Sequence, residues 1–362
     1  MKRLRWAVVG GGNGGQSLSG HLALMGFPVT LYDIVPETIR AIRKKGGIEL
    51  DGIVKGFGQI ELATENLAEA IDRADIIAVV TPAIAHRSVA KGCAPLLKDG
   101  QVVFIHPGAT GGALEFRRVL EDEKCRAHVT IAESNSLIYA CRSPQPGHAS
   151  ILGIKDFLVV AALPSKDNSH VVDLLNQAFP QIRPGKNVLE TSLGNPNAMM
   201  HPGPTLLNTS LIDSGKDWLY YWDGITPSIG AFVETIDQER ISVGRAYGLD
   251  LPSIREWYKI SYGAVGKNLT EIVRNTKAYA GVKGQKSLRT RYLLEDIPMG
   301  LVPMVSMGQL AGVDVARMET VARMAGFLIG EDFFATGRTV ENLGLSKMTA
   351  SDIIRFVETD KW

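Results

Sequence analysis

The sequence has 362 residues, which at roughly 150 residues per domain suggests two domains. It carries 39 lysine and arginine residues against 38 aspartate and glutamate residues, a balance that argues against a protein that coats nucleic acid or an anionic membrane. No apolar run reaches the roughly 18 residues of a membrane span. Glycine is in excess, at 38 of 362 residues against an ordinary usage of about 7%.

The cysteines and the N-terminus indicate the compartment. Cys93, Cys125 and Cys141 include no C-x-x-C pair, so we expect neither a disulfide framework nor a metal site. The apolar stretch at the N-terminus runs at once into glycines and is too short for a signal peptide. These features predict a cytoplasmic protein with reduced thiols.

Strand and helix patterns alternate in the first half of the chain. Apolar runs predict buried strands at 4–9, 29–32, 75–82, 102–105 and 129–132, with one or two more in 150–162. Helical patterns occur near 14–25, 37–45, 86–97, 111–121 and 168–179, and a glycine-rich stretch that is consistent with a hairpin covers 46–63. This alternation predicts a parallel α/β sheet with right-handed crossovers.

Helical periodicity dominates the second half of the chain. It predicts helices at 190–200, 226–247, 252–262, 298–310 and 315–329, and a last one from Ser351. Strand-like runs almost vanish in this half. We therefore place a domain boundary near residue 186, with an α/β domain at 1–186 and an all-helical domain at 187–362.

A glycine-rich turn follows the first predicted strand. Gly10, Gly12 and Gly15 occupy the three glycine positions of G-x-G-x-x-G, and Asn13 and Gly14 lie between them. Because the motif follows a strand and opens a helix, it predicts a Rossmann dinucleotide-binding fingerprint with the pyrophosphate at the helix N-terminus. The glycines permit the tight turn, the approach of backbone to the pyrophosphate, and close helix–strand packing.

An acidic residue ends the second predicted strand. Asp33 lies about 20 residues beyond the glycine turn, where the fingerprint has an acid that binds the ribose hydroxyls. A 2′-phosphate would meet a like charge there, so we expect NAD as the cofactor, with NADP as the alternative. Arg40 is the nearest candidate that would reverse this preference. The alternative, a glycine turn and a surface acid without any ligand, is disfavoured by the order strand, turn, helix, strand and acid.

Two further turns follow predicted strands. Thr81 and Pro82 end one strand, and Gly108 and Thr110 lie in the glycine cluster 106–112 after the next. Because ligands bind at the carboxyl ends of strands in open α/β sheets, we expect these residues to line the nicotinamide end of the cofactor. Ordinary loop chemistry explains any one of them equally well.

A histidine stands among prolines in the helical half. Asn197 and His201 are four residues apart on one predicted helix face, and Pro202 and Pro204 must kink or end that helix. The neighbours of His201 in this segment are apolar, and packing against them accounts only in part for a histidine at this position. Its spacing alone nevertheless favours a structural role.

Two charged residues stand in the otherwise apolar segment 288–303. Asp296 precedes Ile297-Pro298, so it is a candidate cap for the next helix, and Arg291 is a candidate surface charge. The sequence by itself does not show whether Asp296 meets His201.

Several of these segments together resemble the octopine/nopaline dehydrogenase family, the opine dehydrogenases. The resemblance is carried by 10–15, PGATGGALEF at 107–116, MHPGPTLLN at 200–208, GITPSIG at 224–230, EWYKISYG at 256–263, and 290–303. Within the family it is closest to the bacterial N-(1-D-carboxylethyl)-L-norvaline dehydrogenase type. Several segments in the same order are more specific than a glycine motif alone, and they favour a functional role for His201.

The resemblance implies a Rossmann domain, a helical domain and an NAD(P)-dependent reaction. That reaction is the reductive condensation of a 2-oxo acid, often pyruvate, with the amino group of an amino acid or amine. The resemblance places a catalytic pair at His201 and Asp296 and a substrate-carboxylate arginine at Arg291. A protonated His201 would polarise the carbonyl or donate a proton during carbinolamine dehydration, with Asp296 orienting the ring.

The remaining expectations concern the amino substrate and the assembly. Asn197 is expected to line the substrate site, and Trp222, Trp257 and Tyr258 to form an aromatic wall that suits an apolar amino substrate. Each aromatic residue is individually more typical of a core. We also expect a homodimer that associates through the helical domain.

Two other functions remain open at this point. A 2- or 3-hydroxy acid dehydrogenase or a ketopantoate-reductase-like enzyme has the same two-domain plan, but it usually carries a catalytic lysine early in the second domain. The stretch 190–210 has no lysine, which disfavours that interpretation. A nucleotide-sensing protein without catalysis is disfavoured by the joint presence of His201, Arg291 and Asp296.

Overall fold

The chain divides into two units. The computed structural model describes residues 3–360, of which 3–108, 112–191 and 356–360 form the first unit and 109–111 and 192–355 the second. The division at Thr191 and Ser192 lies a few residues beyond the predicted boundary. The end of the last helix belongs to the first unit, a connection that periodicity cannot indicate because it records only local spacing.

Strands lie in the first unit. Their bounds are β1 Trp6–Val9, β2 Val29–Tyr32, β3 Gly47–Gly52, β4 Gly56–Gln59, β5 Leu62–Thr64, β6 Ile76–Val79, β7 Val102–Ile105, β8 Thr130–Ser134, β9 Tyr139–Gln145, β10 His148–Ile154, β11 Leu158–Leu163 and β12 Ile182–Pro184. An 8-stranded sheet has the order β12-β11-β8-β7-β6-β1-β2-β5. All of its neighbouring strands are parallel except β8 and β11. The central strands β1, β6 and β7 are buried throughout, which explains their continuous apolar sequences.

Six helices described in the first unit connect these strands. They are α1 Asn13–Leu24, α2 Pro36–Lys45, α3 Leu67–Ile71, α4 His86–Cys93, α5 Gly112–Asp122 and α6 Asn168–Leu175. The order β5-β2-β1-β6-β7-β8 is that of a doubly wound sheet, whose strand order reverses between β1 and β6. A crevice at the carboxyl ends of these two strands is the usual dinucleotide site. The predicted α/β class is confirmed.

A second sheet in the first unit has 4 strands in the order β4-β3-β10-β9 and packs on α1. The hairpin expected in 46–63 is β3 with β4. Strand β9 was not predicted, because its alternate residues are exposed and its sequence is not an apolar run. A sheet with one face in solvent alternates in polarity, whereas the buried strands of the main sheet do not.

The regular secondary structure described in the second unit is nearly all helical. The helices from the boundary onward are α7 Val188–Leu193, α8 Asn197–Met200, α9 Pro202–Leu207, α10 Thr209–Asp213, α11 Pro227–Ala246, α12 Ile254–Tyr262, α13 Leu269–Asn275, α14 Arg291–Leu294, α15 Val302–Leu310, α16 Ala316–Ile329, α17 Phe333–Thr336 and α18 Ala350–Thr359. The helix predicted at 190–200 is two pieces, α7 and α8. The one predicted at 298–310 begins with a π-helical turn, Ile297–Leu301, before α15.

The described residues contain neither a membrane-crossing helix nor a metal-binding cluster. Within 3–360, no helix has the length and apolar character that crossing a membrane requires. The same residues contain no group of three or more histidine, cysteine, aspartate or glutamate side chains that could hold a metal ion.

Candidate functional site

The glycine turn joins β1 to α1 in a conformation that side chains would block. Gly10 has a φ of +111°, and a Cβ placed on Gly15 would clash with the Gly10 carbonyl oxygen. A Cβ on Gly10 would lie 2.6 Å from the Val80 carbonyl oxygen, so the turn also packs against the end of β6. In contrast, a Cβ on Gly12 would meet nothing within 4 Å. Open space therefore lies over the start of α1.

The N-terminus of α1 is suited to an anion. Gly12 caps it without a side chain, and the first turn contains no acidic residue. The turn is fixed from both sides, because Asn13 Oδ1 accepts a hydrogen bond from the Ser143 N–H at 2.8 Å and Gln16 Nε2 donates to the Gly11 carbonyl at 2.8 Å. Uncapped N–H groups and the helix dipole favour negative charge, so these residues fit a pyrophosphate.

Backbone groups hold the carboxylate of Asp33 at the end of β2. Its Oδ2 accepts a hydrogen bond from the Gly11 N–H, and its Oδ1 accepts one from the Val35 N–H at 2.7 Å. A carboxylate has about four acceptor positions, so two remain for ribose hydroxyls. Arg40 forms an exposed ion pair with Glu37 at 2.6 Å. The residues present therefore fit NAD.

Thr81 and Pro82 follow β6 directly beside the glycine turn. The Thr81 hydroxyl is buried and has no hydrogen-bond partner among the described residues. A Cβ on Gly10 would lie 2.9 Å from the Thr81 methyl group, which shows how closely the two turns approach. An orphaned buried hydroxyl at the carboxyl end of a central strand fits a site that a ligand completes.

Gly108 and Thr110 each make close contacts within their own unit. A Cβ on Gly108 would clash with the Glu133 carboxylate. Thr110 belongs to the second unit, where its N–H donates to the Met299 carbonyl at 3.0 Å and its hydroxyl donates to the Ser192 carbonyl at 3.1 Å. A role for either residue in cofactor binding stays a prediction.

A break between two short helices carries His201. Helix α8 ends at Met200 and α9 begins at Pro202, with His201 between them at φ −106° and ψ −56°. Helical hydrogen bonds continue across the break, from the His201 N–H to the Asn197 carbonyl and from the Thr205 N–H to the His201 carbonyl, each at 3.0 Å. The proline-induced break that the sequence predicts is present, and His201 is only 7% exposed.

Asp296 contacts the ring of His201. Its Oδ2 lies 2.7 Å from His201 Nδ1, although the two residues are 95 positions apart. Asp296 precedes the π-helical turn Ile297–Leu301, yet its side chain makes no capping hydrogen bond. The carboxylate is therefore bound to the histidine, and the capping interpretation is wrong. Because a carboxylate accepts, Nδ1 carries the hydrogen of this bond.

Three tyrosines surround the His201 ring. Tyr292 stacks on it with 3.8 Å between ring centroids and 7° between planes, and Tyr220 lies edge-on at 6.1 Å. The Tyr221 hydroxyl lies 3.3 Å from His201 Nε2. These three residues were not predicted, and the one available signal was that Tyr292 follows Arg291 in the chain.

Burial sets the protonation state of these phenols. It raises the pKa of both Tyr220 and Tyr221 well above the ordinary tyrosine value, because a phenolate would lose its hydration there. Neighbouring tyrosines raise the pKa of Tyr221 further. Both hydroxyls therefore keep their hydrogens at any ordinary working pH.

Arg291 lies five residues before Asp296, and Asn197 lies four residues before His201. Arg291 begins α14, and its side chain is 58% exposed with Nε 3.3 Å from Glu295 Oε2. This position suits either a surface charge or a guanidinium that receives a carboxylate, and its neighbour Tyr292, stacked on His201, favours the second. Asn197 is half-buried at the start of α8, one helical turn before His201.

Trp257 and Tyr258 belong to an aromatic cluster that also contains Tyr221, Tyr262 and Tyr279. Tyr221 stacks on Tyr279 at 4.1 Å, and Tyr279 lies 5.8 Å from Tyr258 and 5.4 Å from Tyr262. Trp257 lies edge-on to Tyr258 at 5.1 Å. The cluster therefore runs from Trp257 to the tyrosine whose hydroxyl faces His201.

Trp222 lies outside this aromatic cluster. It is 51% exposed, and its ring lies under the Arg274 guanidinium at 5.1 Å. Arg274 also donates a hydrogen bond to the Trp222 carbonyl at 2.8 Å. The expectation that Trp222 forms one wall with Trp257 and Tyr258 is wrong, because a cation holds its ring at the surface.

Comparisons with known proteins agree with this arrangement. Residues 184–329 match the profile of the NAD/NADP octopine/nopaline dehydrogenase alpha-helical domain, and residues 5–123 match that of the NAD-dependent glycerol-3-phosphate dehydrogenase N-terminus. An opine dehydrogenase of Arthrobacter sp. (strain 1C) is 41% identical over 354 residues, which cover 98% of each chain. This chain belongs to the opine dehydrogenase family.

More distant relatives extend the likeness. The opine dehydrogenase family includes the octopine dehydrogenase of Mizuhopecten yessoensis, 27% identical over 92% of each chain. The vitopine synthase of Allorhizobium ampelinum is 26% identical over 94% of this chain and 95% of its own. A solved octopine dehydrogenase in complex with NADH and agmatine has the same fold, with a TM-score of 0.82 at 23% identity over 99% of this chain and 98% of that one.

Membership fixes the class of reaction. The protein is an NAD(P)-dependent opine dehydrogenase, an oxidoreductase that acts on CH–NH donors by the reductive condensation of a 2-oxo acid with an amino acid. The predicted family, cofactor class and two-part fold are confirmed, with a Rossmann-like domain followed by a helical one.

Proposed function

We propose that this opine dehydrogenase condenses pyruvate with the amino group of an apolar amino acid, that it prefers NADH, and that His201 and Asp296 are its catalytic pair. The observation that carries the proposal is the 2.7 Å hydrogen bond between His201 Nδ1 and Asp296 Oδ2. A buried histidine whose second nitrogen is oriented by a carboxylate is the usual arrangement of a general acid and base.

Asp296 gives His201 a defined chemistry. Because it accepts the Nδ1 hydrogen, Nε2 is the nitrogen that gains and loses a proton. The carboxylate also stabilises the imidazolium, which can polarise the substrate carbonyl and supply a proton when the carbinolamine loses water. When bound, the reduced nicotinamide supplies the hydride that reduces the imine. In the oxidative direction the neutral ring accepts the proton.

Arg291 is assigned to the carboxylate of the 2-oxo acid. Its guanidinium is a planar fork of donors that matches a carboxylate with two parallel hydrogen bonds. Arg291 lies in the same short segment as Asp296. One stretch of backbone therefore positions both the carboxylate that orients His201 and the guanidinium assigned to the substrate. Asn197, one helical turn before His201, is the neutral group that we assign to the substrate.

The aromatic cluster supports an apolar amino substrate. Trp257 is partly exposed and lies edge-on to the buried Tyr258 at 5.1 Å, so the accessible part of this cluster is an indole ring backed by other aromatic rings. Such surfaces exclude water and favour apolar side chains.

NADH is the preferred reductant in this proposal. Asp33 is fixed by two backbone N–H groups and would repel the 2′-phosphate of NADPH. Arg40, the cation nearest in sequence, already pairs with Glu37.

A substrate screen tests the proposal. NADH and NADPH oxidation is followed with pyruvate and each of a panel of apolar, polar and charged amino acids, and again without any amine. We expect turnover with NADH, pyruvate and apolar amino acids only. Equal oxidation without amine would instead establish a hydroxy acid dehydrogenase, and cofactor binding without turnover on any pair would indicate a nucleotide-sensing protein.

We also infer that the protein is a cytoplasmic homodimer. The three cysteines are free, which suits a reducing compartment. Helix α16 carries exposed Met324, Phe327 and Leu328, with Phe327 83% exposed, and a second copy bound through the helical unit would cover them. Light scattering after size exclusion should give a dimer for the wild type and a monomer for Phe327→Asp. A monomeric wild type at micromolar concentration would contradict this inference.

A further inference from the structure

His201 Nε2 faces a tyrosine hydroxyl. The Tyr221 Oη lies 3.3 Å from Nε2, on the opposite side of the ring from Asp296. We propose that Tyr221 is a catalytic residue that passes the proton between His201 Nε2 and the substrate oxygen. This inference rests on the proposed role of His201 and Asp296, and it adds the group that contacts the substrate.

The surroundings of the imidazole leave few other routes to it. Tyr292 stacks on one face of the ring, Tyr220 lies at its edge, and Asp296 binds Nδ1. Only 7% of His201 is exposed. A substrate oxygen that exchanges a proton with Nε2 directly would have to take the place of the Tyr221 hydroxyl.

Tyr221 is held in place by its own turn and by a stacked ring. The turn is closed where the Leu219 N–H donates to Asp223 Oδ2 at 2.7 Å and the Asp223 N–H donates to the Leu219 carbonyl at 2.8 Å. The Tyr221 ring stacks on Tyr279 with 16° between planes. A hydroxyl fixed in this way stays beside Nε2, as a relay requires.

The hydrogen-bond pattern allows two states of the relay. When His201 is neutral, Nε2 is an acceptor and the Tyr221 hydroxyl donates to it. When His201 is protonated, Nε2 donates to the Tyr221 oxygen, and the phenol hydrogen must point elsewhere. The phenol then presents that hydrogen to an oxygen of the substrate.

The proton step balances without a charged tyrosine. As the carbinolamine C–O bond breaks, the Tyr221 hydrogen goes to the departing oxygen, which leaves as water. The His201 Nε2 hydrogen goes to Tyr221 at the same time, and the nitrogen lone pair of the substrate forms the C=N bond. The result is a protonated imine, water, neutral His201 and an intact phenol. Burial disfavours a phenolate at Tyr221, so the two transfers occur together.

Removal of the Tyr221 hydroxyl tests the relay. Tyr221→Phe keeps the ring and its stacking, and we expect kcat for condensation to fall by roughly 10²- to 10⁴-fold, as for loss of a general acid. Tyr247→Phe is the matched control, because it removes a buried tyrosine hydroxyl that lies outside the aromatic cluster and donates to the Met307 carbonyl at 3.0 Å, and its kcat should stay within about threefold. Solvent isotope effects are measured in mixtures of H₂O and D₂O, where two protons moving together give a curved dependence for the wild type.

Each outcome identifies which idea fails. His201→Ala retaining wild-type activity would overturn the proposed catalytic pair. His201→Ala inactive with Tyr221→Phe fully active would overturn only the relay. Melting temperature and NADH affinity are measured on every variant, and an inactive Tyr221→Phe with both unchanged supports the relay. A linear isotope dependence in the wild type would count against the coupled transfer.

Discussion

In the first unit the candidate cofactor site is made mostly of backbone, whereas in the second unit the candidate catalytic site is made of side chains. Gly10 and Gly15 matter because they lack side chains, and Asp33 is held by one N–H group of the glycine turn and by the Val35 N–H. His201 and Asp296 lie 95 residues apart and meet only through the packing of short helices. A site built from backbone leaves a local motif in the sequence, and a site built from side chains does not.

The largest effect is expected in the second unit, where a side chain carries out the proton transfer. His201→Ala should lower kcat by roughly 10²- to 10⁴-fold, because the general acid is lost. NADH affinity, measured by fluorescence titration, should stay within about twofold, since the glycine turn is untouched. A variant whose kcat stays within threefold of the wild type would remove His201 from the mechanism.

Two glycine variants examine the backbone site. Gly15→Ala should lower the free energy of unfolding by about 1–3 kcal/mol and abolish tight NADH binding, because its Cβ would clash with the Gly10 carbonyl oxygen. Gly12→Ala should leave urea unfolding unchanged, because its Cβ meets nothing within 4 Å, yet weaken NADH by occupying the open space. Unweakened NADH binding by Gly12→Ala would show that the pyrophosphate lies elsewhere.

Arg291 tests whether an exposed cation of the second unit binds substrate. Arg291→Ala should raise KM for the 2-oxo acid by about 10- to 100-fold, because a charged hydrogen bond contributes roughly 1.5–3 kcal/mol, while KM for NADH is unchanged. Arg289→Ala is the control, since Arg289 is equally exposed in the same segment and pairs with Glu331. Equal behaviour of the two variants would make Arg291 a surface charge.

Asp33 tests the one side chain on which the backbone site depends. Asp33→Ser should lower the ratio of kcat/KM for NADH to that for NADPH by about tenfold, because the like charge is removed. It should also lower the free energy of unfolding by about 1 kcal/mol, since two backbone hydrogen bonds are lost. Glu37→Ser frees Arg40 but keeps Asp33, and an equal shift in that variant would assign the preference to Arg40.

The smallest effect concerns a partly buried charge in the first unit. Burial lowers the pKa of Lys155 to about 8, although Nζ donates to Ser136 Oγ at 2.9 Å and the Leu137 carbonyl at 2.7 Å. The unfolded chain has a lysine pKa of about 10.4, so between these values it binds more protons and stability rises with pH. The free energy of unfolding of the wild type should therefore rise relative to that of Lys155→Met as the pH increases from about 7 to 10. A constant difference would contradict the pKa shift.

The sequence predicts the first unit well because its signals are short-range. Buried parallel strands are apolar throughout, and a glycine turn needs glycine whatever surrounds it. The second sheet was only partly predicted, because β9 packs one face and exposes the other. Its stretch of mixed polarity matches a loop as well as it matches a strand.

Prediction was poorer for the second unit, for a physical reason. The break at His201 follows from Pro202, but its contact with Asp296 depends on how α8, α14 and the π-helical turn pack. Tyr221 and Trp222 are neighbours in sequence, yet one ring is buried beside the histidine and the other is exposed under a cation. Residue type and spacing do not decide which of two adjacent aromatic rings is buried.

The π-helical turn that follows Asp296 determines the direction in which the Asp296 side chain points relative to α15. The Leu301 N–H donates to the Asp296 carbonyl five residues earlier at 3.1 Å, so the segment holds one residue more than an α-helical turn would. Each residue of an α-helix advances the direction of the side chains by about 100°. If α15 stayed anchored in the core, deletion of one residue from 297–301 would rotate Asp296 by about that angle and turn its carboxylate away from His201. One inserted residue thus acts as an angular spacer between α15 and the carboxylate that orients His201.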